Sequence, residues 1–285
     1  MTAALFRRLD AASSGPGGEA VLRVEATEWS RGPWDPRSLH GGAPSALVAG
    51  VLERTLAAAD PDGMPMHPSR LTIDLERPVG LQPLTVRATV VRHGKKVRVA
   101  EAEVHDERGN RLVRASLLGI RRTPGPLTFD GAVLTEVPAP PPLPPTASPA
   151  SVSTFATEVD GPMYHRDAVE HRFVRGMFGG LGPATDWIRL QVPVFDGEPV
   201  TALQRVAAAA DFGNGISACL PTGWLFINPD LTITLHRLPA GEWVCLDSVT
   251  HVGPDGTGSA DTELWDEAGR LGRSIQNLLI EPPSN

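Results

Sequence analysis

One carboxylate in the sequence, Asp211, lies at a position that is unfavourable for a negative charge, which makes it a candidate general base. Asp211 follows four alanines at positions 207–210, at the end of an apolar run that predicts a buried helix. A helix C-terminus carries partial negative charge, which disfavours a carboxylate there. A role in binding and polarising a water molecule would explain the position. The structural alternative is a turn residue ahead of Gly213.

Three further positions offer polar groups. Gly41 and Gly42 open a predicted helix, where bare backbone N–H groups can stabilise an oxyanion, although a tight turn also favours glycine. Gln276 shares its predicted strand face with Leu278, so its amide must find hydrogen-bond partners inside the fold or bridge the sheet. Asn228 precedes a proline, a pattern that is also typical of a turn.

The weaker candidates lie in the first half of the chain. His40, directly before the glycine pair, is suited to positioning a substrate, although a lone histidine before a helix is more often structural. Lys95 and Lys96 belong to a basic run over residues 92–98, whereas the corresponding residues 250–256 hold no lysine or arginine. This asymmetry fits phosphate binding at the two lysines, whereas a solvated hairpin tip explains it equally well and is the commoner case.

The elements that position these residues occur twice. Residues 70–77 align with residues 230–237, 160 positions later, with five of eight residues identical. At the same offset, residues 106–109 align with residues 266–269, with three of four identical. Self-similarity at one offset is typical of a duplicated structural unit.

A proline-rich segment separates the two copies. Residues 138–145 include six prolines, and because proline has no N–H to donate to a sheet, the segment should run extended over the surface. We therefore predict an N-terminal repeat over residues 1–122, a linker over residues 123–151 and a C-terminal repeat over residues 152–285. The C-terminal repeat carries the polar residues most suited to chemistry.

Hydrophobic periodicity and turn residues predict the same order of elements in both copies. The first copy has a predicted helix over residues 44–59 and predicted strands over residues 23–29, 69–77, 85–93, 97–105 and 111–121. The second has a predicted helix over residues 199–210 and predicted strands over residues 171–175, 187–192, 231–237, 243–251, 258–265 and 270–280. This order predicts an α+β fold in which an antiparallel sheet wraps a central helix, and two such sheets can pair edge to edge.

Composition excludes several classes of function. A net charge of −7 argues against nucleic acid or an anionic membrane as the main partner. No apolar run approaches the roughly 18 residues of a membrane span, and no secretory signal opens the chain. Cys219 and Cys245 lie far apart in no metal-ligand spacing, which favours a reducing cytoplasm. With no Gly-x-Ser-x-Gly, dinucleotide or P-loop motif, we expect no cofactor, no metal and no covalent intermediate.

The order and spacing of these segments resemble the double-hotdog acyl-CoA thioesterases of the bacterial thioesterase II type. Three pieces carry the resemblance, which extends over about residues 21–281: residues 39–42, 231–237 and 273–277. It implies a double hotdog, with two repeats that each wrap a central helix in an antiparallel sheet. It also implies an acyl-CoA substrate. A fused double hotdog already contains the dimer that single hotdogs form, and a homo-oligomer stays open.

The resemblance also implies a site. In that family an aspartate, a hydroxyl residue and a glutamine hold a water, and these positions fall on Asp211, Asn228 and Gln276. Asn228 departs from the usual threonine, although an amide can still donate to and accept from a water. The implied reaction is hydrolysis of an acyl-CoA thioester. The N–H groups near Gly41 and Gly42 would receive the oxyanion.

Two other functions remain as alternatives. The spacing of Asp35 and His40 is similar to that in hotdog enoyl-CoA hydratases, but the intervening residues lack the Asn-Pro of those enzymes. A non-catalytic acyl-CoA-binding protein would explain asparagine at position 228 as decay of the site. The length and type of the acyl chain do not follow from the sequence.

Overall fold

The computed structural model describes residues 3–11, 13–14, 19–59, 63, 65–123, 125, 127–133, 138–148 and 160–283. The first repeat begins with short strands, continues through one long helix and ends in four longer strands. In chain order these are β1 (Phe6–Arg8), β2 (Ser13–Ser14), β3 (Ala20–Ala26), α1 (Gly42–Ala58), β4 (Met66–Leu75), β5 (Pro83–His93), β6 (Val97–His105) and β7 (Arg111–Arg121). A single 3₁₀ turn (Glu28–Ser30) precedes α1.

The second repeat follows the same plan with a shorter central helix. A single π-helical turn (Tyr164–Ala168) leads into the first strand. The elements are β8 (Val169–Arg175), β9 (Ala184–Leu190), α2 (Ala202–Ala210), α3 (Gly213–Ile216), β10 (Leu225–Ile227), β11 (Asp230–Leu235), β12 (Trp243–Val252), β13 (Thr257–Asp266) and β14 (Gly269–Glu281). The strands β1, β2 and β10 and the helix α3 were not predicted, because each is too short for hydrophobic periodicity to register.

The strands form one antiparallel sheet in the order β1-β3-β5-β6-β7-β4-β11-β14-β13-β12-β9-β8, with β2 beside β3 and β10 beside β14. The two repeats meet where β4 pairs with β11. Thr72 lies directly opposite Thr232 there, and these two residues are equivalent at the 160-residue offset. The repeats are therefore related by a local twofold at this pair, and the predicted edge-to-edge pairing of two α+β units is confirmed.

The two central helices pack against each other and against the sheet. α1 buries the apolar face that its periodicity predicts, consisting of Leu47, Val48, Val51, Leu52 and Leu56. α2 begins at Ala202 rather than at the predicted residue 199, because Thr201 closes a capping box with Gln204. No helix in the described part of the chain is long and apolar enough to cross a membrane.

Part of the predicted linker lies against the second repeat. The Ser148 N–H donates to His171 O at 2.8 Å, and Arg172 donates to Pro144 O at 2.8 Å. Leu143 packs on a cluster of buried side chains from the outer strands, namely Trp187, Trp243, Cys245 and Trp265. Residues 149–159 lie outside the described residues, and the three-part division of the chain stays a prediction.

Candidate active site

A cavity of about 560 Å³ lies where the start of α1 meets the end of α2. The first repeat contributes His40 and Gly41 to its wall, and the second contributes Asp211 and Asn228. The site therefore depends on the pairing of the repeats, and neither copy alone contains it.

Asp211 is the C-terminal cap of α2 and is only 6% exposed. Its Oδ1 accepts a hydrogen bond from Asn228 Nδ2 at 3.0 Å, and its Oδ2 lies 3.0 Å from His40 Nδ1. β10 ends one residue before Asn228, which places this side chain beside the end of α2. A buried carboxylate with two polar neighbours still has lone pairs with which to accept a hydrogen from a ligand.

His40 joins the two repeats at this point. Its Nδ1 is 3.0 Å from Asp211 Oδ2 and 3.1 Å from the Gly42 nitrogen. As an acceptor from Gly42, an unprotonated Nδ1 would turn its lone pair toward a carboxylate, which is repulsive. One hydrogen lying between Nδ1 and Oδ2 removes this repulsion and adds a charge-assisted contact. His40 Nδ1 therefore lies between the Asp211 carboxylate and the Gly42 N–H, which donates to it.

Aromatic side chains fix the orientation of the His40 ring. Tyr164 stacks on one side, with ring centroids 4.7 Å apart, and Phe212 lies 4.4 Å away. Tyr164 Oη donates to Ala208 O at 2.9 Å. Burial, and secondarily the charge of Asp211, raise the pKa of Tyr164 well above its ordinary value, so this hydroxyl stays protonated. Tyr164 is the sole tyrosine of the chain, which was the one sequence signal that could have drawn attention to it.

Gly41 permits the close approach of the two repeats. A Cβ at this position would lie 2.7 Å from Asp211 Oδ2 and 2.8 Å from Oδ1. Gly41 is also the N-cap of α1, with no side-chain cap, and its N–H makes no hydrogen bond to the described residues. Pro44, at the third position of α1, has no side-chain acceptor for this N–H, so a backbone donor remains at a residue of the cavity wall.

Gln276 faces inward as predicted, but it does not line the cavity. Its Nε2 donates to the main-chain oxygen of Asp211 at 3.2 Å, and its Oε1 accepts from the Asn214 N–H at 3.0 Å. A Cβ on Gly213 would lie 2.7 Å from that Oε1, so glycine lets the chain turn tightly around the amide. Both ends of the amide therefore bond to the turn after α2, and its contact with a water stays a prediction.

The structure does not bring Lys95 and Lys96 to the cavity. Both are exposed at the tip of the β5–β6 hairpin. This tip lies near the C-terminal end of α1. Leu56, close to that end, lies beside Gly119 of β7, and Gly119 pairs with the start of β6 next to the hairpin. α1 has 17 residues, so roughly 25 Å of helix separates this end from Gly42. The predicted phosphate contact is not part of the site that the cavity defines.

Comparisons with known proteins identify the family of the chain. The model of the acyl-CoA thioesterase C-terminal domain matches residues 138–280, and that of the N-terminal domain matches residues 30–119. The chain belongs to the acyl-CoA thioesterase family. It is accordingly a thioester hydrolase, and the predicted resemblance is confirmed.

Solved structures show the same fold at low identity. A protein assigned as a thioesterase from Novosphingobium aromaticivorans is 22% identical over 97% of this chain and 98% of its own, with a TM-score of 0.64. A hot dog fold protein from Alicyclobacillus acidocaldarius is 17% identical over 96% and 97%, with a TM-score of 0.63. An acyl-CoA thioesterase II from Mycobacterium marinum is 16% identical over 97% and 96%, with a TM-score of 0.60. No curated protein matches the sequence significantly. The double hotdog fold is confirmed.

Within this thioesterase fold, Asp35 does not form the pair that a hydratase reading requires. Its carboxylate is bound by Arg37, through the backbone N–H at 2.9 Å and the guanidinium at 3.2 Å. These contacts lower the pKa of Asp35. His40 contacts Asp211 instead, so the geometry gives no support to the hydratase alternative.

Proposed function

We propose that the protein hydrolyses the thioester of a fatty or related acyl-CoA by direct attack of a water molecule held by Asp211 and Asn228. The observation that carries the proposal is the buried Asp211 carboxylate. It is supported on its two oxygens by His40 and Asn228 and lies against a bare helix start at the cavity wall.

The two side chains offer complementary contacts to a water. Asn228 donates through Nδ2 to Asp211, while its Oδ1 makes no hydrogen bond to the described residues. A water between them would donate one hydrogen to Asp211 and the other to Asn228 Oδ1. Asparagine thereby supplies the acceptor that a threonine hydroxyl would otherwise offer.

The chemistry proceeds in two balanced steps. The water oxygen attacks the thioester carbonyl carbon while its proton passes to the Asp211–His40 pair. The carbonyl oxygen becomes an oxyanion, which the Gly41 N–H stabilises. The Gly42 N–H, which donates to His40 Nδ1 in this structure, joins it only if a hydrogen between Nδ1 and Asp211 Oδ2 releases it. The intermediate then collapses, the carbon–sulfur bond breaks, and the thiolate takes the proton back. The products are a carboxylic acid and free coenzyme A.

Gln276 acts through Asp211. By holding the main-chain oxygen after α2 and the Asn214 N–H, it fixes the turn from which the carboxylate projects. It is thus proposed as a positioning residue. The proposal keeps acyl-CoA as the substrate and the cytoplasm as the compartment, where the two free thiols, Cys219 and Cys245, would stay reduced.

Thiol release from short, medium and long acyl-CoA esters tests this proposal. We expect turnover by the wild type, a loss of about 10²-fold or more in kcat for Asp211→Asn, and a loss of about tenfold for Asn228→Ala. Asn228→Thr should keep most of the activity. Folded wild-type protein that binds an acyl-CoA without thiol release would favour the binding alternative, and hydration of crotonyl-CoA without thiol release would favour the hydratase.

A further inference from the structure

One buried polar side chain in the cavity wall has no role in the hydrolysis proposed above. His165 lies in the single π-helical turn before β8, is 6% exposed and lines the cavity. Its Nδ1 is buried with no hydrogen-bond partner among the described residues. A buried polar atom without a partner is unfavourable, and most such atoms in proteins are paired.

The surroundings of His165 keep the ring uncharged. Burial lowers its pKa to about 3, and the neighbouring His40 and His171 contribute in the same direction. The ring of Phe178 lies in the same wall, with centroids 6.5 Å apart in an edge arrangement. At neutral pH the imidazole therefore presents one donor nitrogen and one acceptor nitrogen within a largely aromatic wall.

His171, which lies behind this wall, provides a comparison. It is buried to a similar degree, and its ring lies 4.5 Å from that of Phe178. Its Nδ1, however, is 2.5 Å from Asp186 Oδ2, and it is not part of the cavity lining. His171 Nε2 is also buried without a partner among the described residues, so each ring has one such nitrogen. His165 differs because neither of its nitrogens bonds to a described residue and its ring lines the cavity, which is the pattern expected if a ligand completes it.

We propose that His165 hydrogen-bonds an oxygen on the acyl group, so that the preferred substrates are acyl-CoA thioesters that carry a hydroxyl or keto oxygen on the acyl chain. This inference rests on the proposed function, since it assigns the cavity to the acyl group. A site built to bind such an oxygen rejects the analogue that lacks it, because the site's own polar group is then left unpaired.

The test compares matched substrates that differ only in that oxygen. The pairs are hexanoyl-CoA with its 3-hydroxy and 3-oxo derivatives, and phenylacetyl-CoA with its 4-hydroxy derivative. In the wild type, kcat/KM for the oxygenated member should exceed that of its partner by about tenfold or more in at least one pair. In His165→Phe the ratio should fall to within about twofold, while Phe178→Leu, which alters the same wall without removing a polar atom, should keep the preference.

Several outcomes separate this inference from the proposed function. Turnover by the wild type with no preference in any pair would overturn the role of His165 and leave hydrolysis intact, as would a preference that persists in His165→Phe. If no thioester is hydrolysed, the proposed function fails. The role of His165 is then decided by the dissociation constants of the corresponding S-alkyl-CoA thioethers, for which the same tenfold preference is expected. Equal affinities would contradict it.

Discussion

The protein contains two helix junctions related by the local twofold. They differ in whether the N–H of the N-cap residue has a partner among the described residues. At the first, the start of α1 meets Asp211 at the end of α2. At the second, Thr201 at the start of α2 meets Glu53 in α1, to which its hydroxyl donates. Gly41 and Thr201 are equivalent at the 160-residue offset, and the residue equivalent to Asp211 is the buried Val51.

At the second junction the polar groups satisfy one another. The Thr201 N–H donates to Gln204 Oε1 at 2.9 Å, and the Gln204 N–H donates to Thr201 Oγ1 at 3.2 Å. This capping box uses backbone donors that a helix start would otherwise leave free. The junction contributes to folding and offers no N–H of these two residues to a ligand.

The first junction is the opposite case. Pro44, equivalent to Gln204 at the 160-residue offset, has no side-chain acceptor, so the Gly41 N–H remains without a partner among the described residues. Compared with threonine at this position, glycine costs the helix only roughly a few tenths of a kcal/mol. What is gained is a donor and a carboxylate side by side in a cavity. On the proposed mechanism, the duplicated helix start serves stability in one copy and chemistry in the other.

The largest difference between the junctions should appear when alanine replaces the N-cap residue of each helix. Gly41→Ala would push a Cβ into the Asp211 carboxylate, and we expect kcat to fall by about 10²-fold or more. Thr201→Ala at the equivalent position should leave kcat within about threefold and lower the unfolding free energy by about 1 kcal/mol. Thiol release and denaturant unfolding measure both. A folded Gly41→Ala protein with wild-type kcat would show that the junctions do not differ in this way.

The smallest effect on turnover is expected for Glu53, the carboxylate of the second junction. Burial raises the pKa of Glu53, which Thr201 and Arg54 only partly offset. A carboxyl group whose pKa is raised by folding contributes stability that is present below its ordinary value of 4.5 and is lost as the pH rises through the folded value.

Glu53→Gln cannot ionise, so its unfolding free energy should fall less than that of the wild type between pH 4.5 and pH 8. Its kcat/KM should remain within about twofold of the wild-type value, since Glu53 is not part of the active-site cavity lining. Chemical denaturation at the two pH values checks the first expectation. A large loss of kcat/KM would mean that the second junction also affects turnover and that the two junctions do not differ in function.

The fold followed from the sequence because its signals are local and repeated. The 160-residue offset, the helical periodicity of α1 and the alternation of the long strands each predict structure from neighbouring residues. Asp211 at the end of α2 and the inward amide of Gln276 came from the same kind of pattern. These predictions agree with the helix cap and the burial that the structure has.

The hydrogen-bond partners of these side chains could not be predicted from the sequence, because they depend on tertiary contacts. That His40 lies against Asp211 is set by the packing of α1 on α2, which no local pattern reports. Strand alternation shows that Gln276 points inward, but it does not show that both ends of the amide are occupied by the turn after α2. For Lys95 and Lys96, the sequence shows the positive charge, but it does not show which end of α1 the hairpin tip approaches.

A single-turnover reaction in H₂¹⁸O tests most directly the claim that Asp211 delivers water to the thioester without a covalent intermediate. With enzyme in excess over acyl-CoA, direct attack places one ¹⁸O in the carboxylic acid during the first turnover and none in the protein. Mass spectrometry of the acid and of the peptide containing Asp211 measures both. An unlabelled acid, with ¹⁸O found in Asp211, would mean that the carboxylate itself attacks the thioester, and the account of a water held by Asp211 and Asn228 would be wrong.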